Sequence, residues 1–209
     1  TEYLKSRCRI EGLEHLDAAM KKNKGVILLT GHFTTLEIGA RLIGFYTDRY
    51  NGVYKKAHNK LFNDIMVRYR SRFGDDLIET KNTRAIIRGL KKGHATWFAP
   101  DQDFSRQEIV FTPFLGGIAS TLTATAKMAK ITGAPVVPFY PIRLNKSEGY
   151  KLVVLPALEN FPSGDIEADS ARANKAIEDM VYACPEQYLW SHKRFKTQPD
   201  RKTNIYADT

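Results

Sequence analysis

The chain has 209 residues, 43% hydrophobic and 26% charged, which is enough for one sizeable domain and too few for a second full one. Its 32 basic and 23 acidic residues give a formal charge of +9, which favours anionic partners: nucleic acid, phospholipid headgroups, phosphorylated substrates or an acidic carrier protein. Two distant cysteines, Cys8 and Cys184, argue against a disulfide framework and favour a reducing compartment.

Apolar patterning predicts strands that alternate with helices along the chain. In chain order, we expect a strand at 25–30, a helix at 34–44, a strand at 52–55, helices at 59–73 and 83–92, a strand at 94–99, a helix at 120–132, strands at 135–143 and 150–155, and a helix at 167–183. Gly93 and Gly133 are natural helix stops. The turn-like segment 145–149 predicts an antiparallel hairpin between the last two strands.

This alternation predicts an α/β fold with a mixed, largely parallel sheet flanked by helices. We expect one domain over 1–209, with a helical lead-in at about 1–24 and a loosely ordered tail at 198–209. No apolar run approaches the roughly 20 residues that span a bilayer, and no signal peptide is visible. The chain begins at Thr1 without an initiator methionine, so we expect a fragment of a longer protein.

A histidine and a glutamate follow the first predicted apolar strand. His32 stands where that strand ends, and Glu37 stands five residues later, in the predicted first helical turn. In one regular helix the two side chains would lie about 140° apart, but across a strand-to-helix turn they can converge. Glu37 could then accept one ring N–H of His32, leaving the other ring nitrogen to take a proton from a hydroxyl.

A structural interpretation competes with this catalytic one. Thr34 and Glu37 have the Thr-x-x-Glu spacing of a capping box, so Glu37 could simply close the start of the helix. His32 could then be an ordinary loop histidine. Spacing alone leaves both interpretations open.

Two more carboxylates, Asp101 and Asp103, follow the predicted strand at 94–99. If the strands are parallel, both lie near the same sheet edge as His32 and could hold a substrate hydroxyl or an amine. They could also bind a divalent cation, although two carboxylates make a weak metal site. A solvated turn is the structural alternative.

The characteristic motifs of several functional classes are absent from the sequence. The sequence has no nucleotide-binding glycine loop, no Gly-x-Ser-x-Gly nucleophile elbow and no His-Glu-x-x-His zinc motif. The basic residues show no nucleic-acid recognition signature, so we expect no nucleic-acid partner. The other histidines are expected to be structural or solvent-facing, and Tyr188, Trp190 and Phe195 to be core or docking aromatic residues.

The motifs together resemble those of a known family. His32-x4-Glu37 after an apolar strand is similar to the His-x4-Asp/Glu motif of glycerolipid acyltransferases, and the chain resembles the late acyltransferases of lipid A biosynthesis more closely. The matching stretches are 25–39, 52–55, 99–103, 133–143 and 185–197, spread in order over nearly the whole chain. The resemblance implies a glycerolipid acyltransferase-like fold.

The resemblance also implies a reaction and roles for particular residues. A fatty acyl chain would pass from an acyl carrier protein thioester to a hydroxyl of a lipid A precursor, with His32 as general base and Glu37 as its partner. The substrate-binding positions carried over are Lys55, Asn59, Asp101, Asp103 and Arg143. A thioester is already activated, so no cofactor and no metal are expected.

The implied partners are acidic acyl carrier protein, a phosphorylated glycolipid acceptor and an anionic membrane surface, in keeping with the charge of +9. The implied location is the cytoplasmic face of the bacterial inner membrane.

The sequence departs from the family at Lys55-Lys56, where relatives have Arg-Pro, so the bidentate guanidinium is lost. It also lacks the family's N-terminal membrane anchor, which implies a truncated, ancestral-style or designed soluble version.

Two alternatives stay open from the sequence. One is an acyltransferase that acts on another polar lipid or glycolipid. The other is a non-catalytic basic module that docks on anionic lipid or nucleic acid, with salt-sensitive binding that is independent of His32 and Glu37.

Overall fold

The computed structural model describes residues 2–47, 49–105, 108–145 and 148–207. Its helices in chain order are α1 Glu2–Ser6, α2 Leu13–Met20, α3 Leu36–Ile43, α4 Lys60–Arg70, α5 Thr83–Lys91, α6 Ala124–Thr132 and α7 Ile166–Ala183. Its strands are β1 Cys8–Glu11, β2 Val26–Leu29, β3 Tyr50–Tyr54, β4 Asp76–Glu79, β5 Ala95–Phe98, β6 Ile109–Phe114, β7 Gly117–Leu122, β8 Val136–Arg143 and β9 Tyr150–Val154. A short 3₁₀ turn, Pro185–Gln187, follows α7.

Seven strands form one sheet in the order β1-β9-β8-β2-β5-β3-β4. Strand β2 pairs in parallel with β5 and β8, and β3 pairs in parallel with β4 and β5. Strand β9 runs antiparallel to β8, and β1 runs parallel to β9. This confirms the predicted α/β fold with its mixed, largely parallel sheet and the antiparallel β8–β9 hairpin. Lys146 and Ser147 of the predicted hairpin turn lie outside the described residues.

The core has two halves because helices cover both faces of the sheet. All four residues of β2 are buried, as expected for a central parallel strand. Ile27 and Leu29 belong to the half that includes side chains of α5, α6 and α7, whereas Val26 and Leu28 belong to the half that includes side chains of α2 and α3. Strand β2 is therefore fixed from both sides, and so is the turn that follows it.

The secondary structure differs from the prediction in three places. The predicted helix at 120–132 begins only at Ala124, because Ser120–Leu122 pair with β6 in a separate two-stranded sheet. The lead-in at 1–24 contains the strand β1 besides its helices, and the strand β4 was not predicted. Both strands have only four residues, and their mixed burial gave no clear apolar run.

The expected helix stops at Gly93 and Gly133 are confirmed. Gly93 and Gly133 follow α5 and α6 with φ of 86° and 69°, the left-handed region in which glycine readily ends a helix. Cys8 and Cys184 are both free thiols. Among the described residues, no helix is both long and apolar enough to cross a membrane.

Candidate active site

The candidate site lies at the carboxyl edge of the parallel strands. His32 follows β2, and Asp101 follows β5, the parallel neighbour of β2. Lys55 follows β3, and Arg143 is the last residue of β8. In α/β proteins, ligands bind at this edge of the sheet. The expectation that a carboxylate after β5 lies at the same sheet edge as His32 is confirmed for Asp101, because the side chains of His32 and Asp101 are in contact.

Asp101 holds both the ring and the backbone of His32. Its Oδ1 lies 2.5 Å from His32 Nδ1, and its Oδ2 accepts the backbone N–H of His32 at 2.8 Å. A carboxylate at Nδ1 favours the tautomer that carries the proton on Nδ1. The lone pair is then on Nε2, and His32 keeps 26% of its side chain exposed. The arrangement gives a histidine that can accept a proton from a molecule arriving at the sheet edge.

A third residue, Tyr188, completes this cluster. Its hydroxyl donates to Asp101 Oδ2 at 2.8 Å, and the contact is buried. Its ring packs edge-on against Phe33, with 5.7 Å between the ring centroids. The sequence interpretation treated Tyr188 as a structural aromatic residue and missed this contact. Its position in the resembling stretch 185–197 was the only available signal.

The segment after α7 also fixes the backbone around His32. Leu189 N–H donates to His32 C=O at 2.9 Å, and Thr34 N–H donates to Gln187 C=O at 2.7 Å. Phe33 and Tyr188 form an antiparallel bridge between these hydrogen bonds. The turn that presents His32 is therefore held by a segment more than 150 residues away in sequence.

Burial of Asp101 and its hydrogen bonds act on its pKa in opposite directions. Burial would raise the pKa of Asp101, but the hydrogen bonds and charge of His32 and the hydroxyl of Tyr188 outweigh it, so the pKa of Asp101 falls below its usual value. Burial and the proximity of this carboxylate both raise the pKa of Tyr188. Asp101 therefore stays anionic and Tyr188 stays a hydrogen-bond donor at neutral pH.

Gly31 allows the carboxylate to approach so closely. A Cβ atom added there would lie 3.0 Å from Ile177 Cγ2 and 3.2 Å from Asp101 Oδ2. Both distances are shorter than ordinary van der Waals contacts. Even an alanine would push against the oxygen that binds the His32 backbone.

Glu37 has a different partner from the one expected. Its carboxylate accepts two hydrogen bonds from Arg70 of α4, one from Nε at 3.0 Å and one from an η nitrogen. The hydrogen bond that Glu37 was expected to accept from the His32 ring is accepted by Asp101 at Nδ1. The capping-box interpretation is wrong as well, because Thr35 is the N-cap of α3 and makes no side-chain capping bond. Whether Glu37 takes part in catalysis stays a prediction.

An apolar cavity opens beside the Glu37–Arg70 pair. It encloses about 560 Å³, including the part that is open to solvent. Its lining is contributed by α3, by the end of α4 and by the three strands β3, β4 and β5. Leu36, Val53, Phe73, Leu77 and Trp97 supply apolar lining, and Glu37 belongs to the lining whereas His32 does not.

Asp103 binds the C-terminal segment, not His32. It accepts hydrogen bonds from the N–H and the hydroxyl of Thr197, at 3.0 and 2.8 Å. Its own N–H donates to His192 Nε2 at 2.8 Å. Burial lowers the pKa of His192, which favours the neutral ring that accepts this bond. Asp101 and Asp103 hold separate protein donors, which disfavours a cation shared between them.

The other sequence-predicted positions lie around this centre. Lys55 is exposed directly after β3, and Arg143 is exposed at the end of β8, where Gln187 bonds its backbone N–H and C=O. Asn59 is the N-cap of α4, and its side chain accepts from Phe62 N–H at 3.0 Å. The structure thus gives Asn59 and Asp103 structural contacts and leaves Lys55 and Arg143 accessible to an anion. Substrate binding by any of the four stays a prediction.

The chain is similar to known proteins over nearly its whole length. The family model described as bacterial lipid A biosynthesis acyltransferase matches residues 1–197. The chain is 37% identical over 196 residues to the lipid A biosynthesis lauroyltransferase of Escherichia coli (strain K12), covering 93% of this chain and 64% of that protein. It is 36% identical over 199 residues to the palmitoleoyltransferase of the same strain, covering 94% and 64%.

A more distant relative is the lipid A biosynthesis myristoyltransferase of Escherichia coli (strain K12), 27% identical over 212 residues. The chain spans just under two thirds of the length of the curated relatives it matches. The relatives are thus named for three different acyl chains. The range matched by the family model, 1–197, includes His32, Asp101 and Tyr188 of this chain.

Proposed function

Because the chain belongs to the bacterial lipid A biosynthesis acyltransferase family, we propose that it transfers a fatty acyl chain from acyl carrier protein thioester to a hydroxyl of a lipid A precursor. The observation that carries this proposal is the contact between His32 Nδ1 and Asp101, which leaves Nε2 as the proton acceptor. Acyl transfer from a thioester needs such a base and needs no redox group.

The proposed reaction begins when His32 Nε2 takes the proton of the acceptor hydroxyl. The oxygen then attacks the thioester carbonyl and forms a tetrahedral intermediate. When the intermediate collapses, the carbon–sulfur bond breaks and the ester forms. The carrier thiolate takes the proton back from the His32 imidazolium, so the neutral base is restored. Asp101 stabilises the imidazolium in between, because its low pKa keeps it anionic.

We propose that the apolar cavity holds the acyl chain. Its lining of Leu36, Val53, Phe73, Leu77 and Trp97 would shield methylene groups from water. We propose that Glu37 and Arg70 stand at its mouth and act there rather than on the His32 ring. In this arrangement Glu37 orients the Arg70 guanidinium, which is well suited to a phosphate.

The net positive charge of the chain supports the proposed anionic partners. Acyl carrier protein is acidic and the acceptor is phosphorylated, whereas this chain carries +9. Lys55 and Arg143 are exposed at the sheet edge that presents His32, so we propose them as phosphate contacts. The proposed location is the cytoplasmic face of the inner membrane, where both substrates would be met.

The test is direct acyl transfer. Purified protein is incubated with labelled acyl carrier protein and a tetra-acylated lipid A precursor, and the lipid product is followed by mass. We expect transfer by the wild type and a loss of at least about 1,000-fold in His32→Ala. His15→Ala is the matched control, since His15 lies in α2, away from the sheet edge.

Equal rates for wild type and His32→Ala would contradict the mechanism. A competing glycolipid acceptor that is preferred over the lipid A precursor would replace the proposed acceptor and leave the mechanism intact. Lipid binding without any transfer would favour the non-catalytic alternative.

A further inference from the structure

Helix α4 presents a cluster of apolar side chains to solvent. Leu61, Phe62, Ile65 and Tyr69 are 71%, 61%, 59% and 46% exposed. At about 100° per residue, these four side chains occupy one arc of about 100° on the helix surface. This arc is called the α4 apolar face below. An ordinary surface helix directs such an arc into the core.

The opposite side of α4 is anchored by polar contacts. Asn63 is the only fully buried residue of the helix, and its side chain accepts from Ala57 N–H at 3.1 Å. Arg70 points back to Glu37. Met66 and Val67 are half-buried on the same side of the helix. The contacts of this side hold the helix, whereas Leu61, Phe62 and Ile65 stay exposed to solvent.

Basic residues surround this face. Six basic residues and one acidic residue, Asp64, lie between positions 55 and 72. The basic ones that are fully exposed are Lys55, Lys56, Lys60, Arg68 and Arg72. Exposed apolar side chains with a basic border are the pattern of helices that lie in the interface of an anionic membrane.

The α4 apolar face also adjoins the cavity. Tyr69 belongs to both, and Arg70, Ser71 and Phe73 continue the cavity wall directly after it. Any surface bound by α4 therefore lies beside the cavity. A lipid surface would deliver an apolar chain there without passage through water.

We propose that the α4 apolar face docks on an anionic lipid bilayer and orients the cavity mouth toward it. The helix is 11 residues long and would lie flat, with Leu61, Phe62 and Ile65 inserted at the headgroup–acyl boundary. The choice of a lipid partner rests on the proposed function. Four apolar side chains in one arc favour a bilayer over acidic carrier protein, which would need cations at the centre of the contact.

The test is flotation with vesicles of phosphatidylcholine, with and without phosphatidylglycerol. We expect the wild type to float with the anionic vesicles and the triple variant Leu61→Ser/Phe62→Ser/Ile65→Ser to partition at least tenfold less. The matched control is Ile131→Ser/Tyr182→Ser, which changes two exposed apolar residues of α6 and α7, on the other face of the sheet. The control is expected to float like the wild type.

A charge variant, Lys56→Gln/Lys60→Gln/Arg68→Gln, separates the electrostatic contribution to vesicle binding from the apolar one. It is expected to lose binding to anionic vesicles severalfold and to bind neutral vesicles like the wild type, and added salt should weaken wild-type binding. Flotation that is absent in the wild type, or equal in the triple variant and the wild type, would overturn the proposal. Loss of carrier-protein binding or of a dimer in the triple variant, with flotation unchanged, would overturn it in favour of that occupant.

Flotation requires no catalysis, so its outcome is independent of the proposed function. Transfer is measured in parallel in detergent micelles, where no bilayer is present. The triple variant is expected to keep wild-type transfer there, because none of its three residues lines the cavity. Flotation through α4 without transfer by any form would contradict the proposed function and leave the docking face standing.

Discussion

Asp101 and Glu37 are both carboxylates near the start of α3, but their surroundings differ. Asp101 is 1% exposed and accepts from three groups, the His32 ring, the His32 backbone and the Tyr188 hydroxyl. The Glu37 side chain is 54% exposed and pairs with Arg70. In a buried site charge is poorly screened, whereas solvent weakens an exposed ion pair. This difference is the reason why we propose proton transfer at the Asp101 cluster and orientation of a guanidinium at the Glu37 pair.

The largest effect is expected from Asp101→Asn. An amide at Nδ1 removes the negative charge that stabilises the His32 imidazolium, so we expect kcat/KM to fall by about 1,000- to 10,000-fold, as for the comparable substitution in serine proteases. Transfer kinetics measure the loss. Proton NMR supplies a second readout, since the downfield Nδ1 proton of His32 should disappear in this variant and persist in Glu37→Gln. Persistence in both would contradict the Asp101 assignment.

Tyr188→Phe should produce a smaller change. It removes one buried hydrogen bond to a carboxylate, which is worth about 1.5–3 kcal/mol of unfolding free energy. Urea unfolding measures this loss. Tyr182→Phe on α7 is the matched control, because its side chain is 62% exposed, and it should stay near the wild type. An equal effect of the two substitutions would show that the Tyr188 hydroxyl does not support Asp101.

Glu37→Gln should lower kcat/KM by about tenfold, mainly through KM, because it weakens the hold on Arg70 without touching His32. Arg70→Gln should reproduce the change, and the double variant should add little to either. Steady-state kinetics on all three forms test this. A loss as large as that of Asp101→Asn would place Glu37 in the proton-transfer unit after all.

The smallest expected effect is on the pH dependence of stability. The folded-state pKa of Asp101 lies below its unfolded value, so its contribution is fully present above the ordinary aspartate range near 4 and is lost as pH falls through the folded pKa. Wild-type stability should therefore fall more steeply with acid than that of Asp101→Asn, by at most about 1.4 kcal/mol per pH unit. Urea unfolding between pH 5 and about pH 2 measures the difference. Parallel curves would contradict it.

The fold was largely predictable because its long elements bury residues with a clear period. The run Val26–Leu29 is apolar throughout and lies in the centre of the sheet, and α7 was predicted to within one residue. The hairpin β6–β7 was missed because Ser120, Thr121 and Leu122 also suit a helix. Their strand form depends on pairing with β6 and on the Thr121 hydroxyl, which accepts from Asn174 at 2.8 Å.

The sequence by itself determined the central alternation of strands and helices, the position of His32 at the end of an apolar strand, and the resemblance to the family motifs, since all of these depend on local patterns. Only the tertiary structure decided which carboxylate meets the histidine. Asp101 lies 69 positions from His32 and 87 from Tyr188, and strand order brings the three together. Glu37 is nearer in sequence, but the turn of α3 directs it to Arg70. Distance along the chain does not report distance across a parallel sheet, because each crossover helix separates neighbours in space by a long stretch of chain.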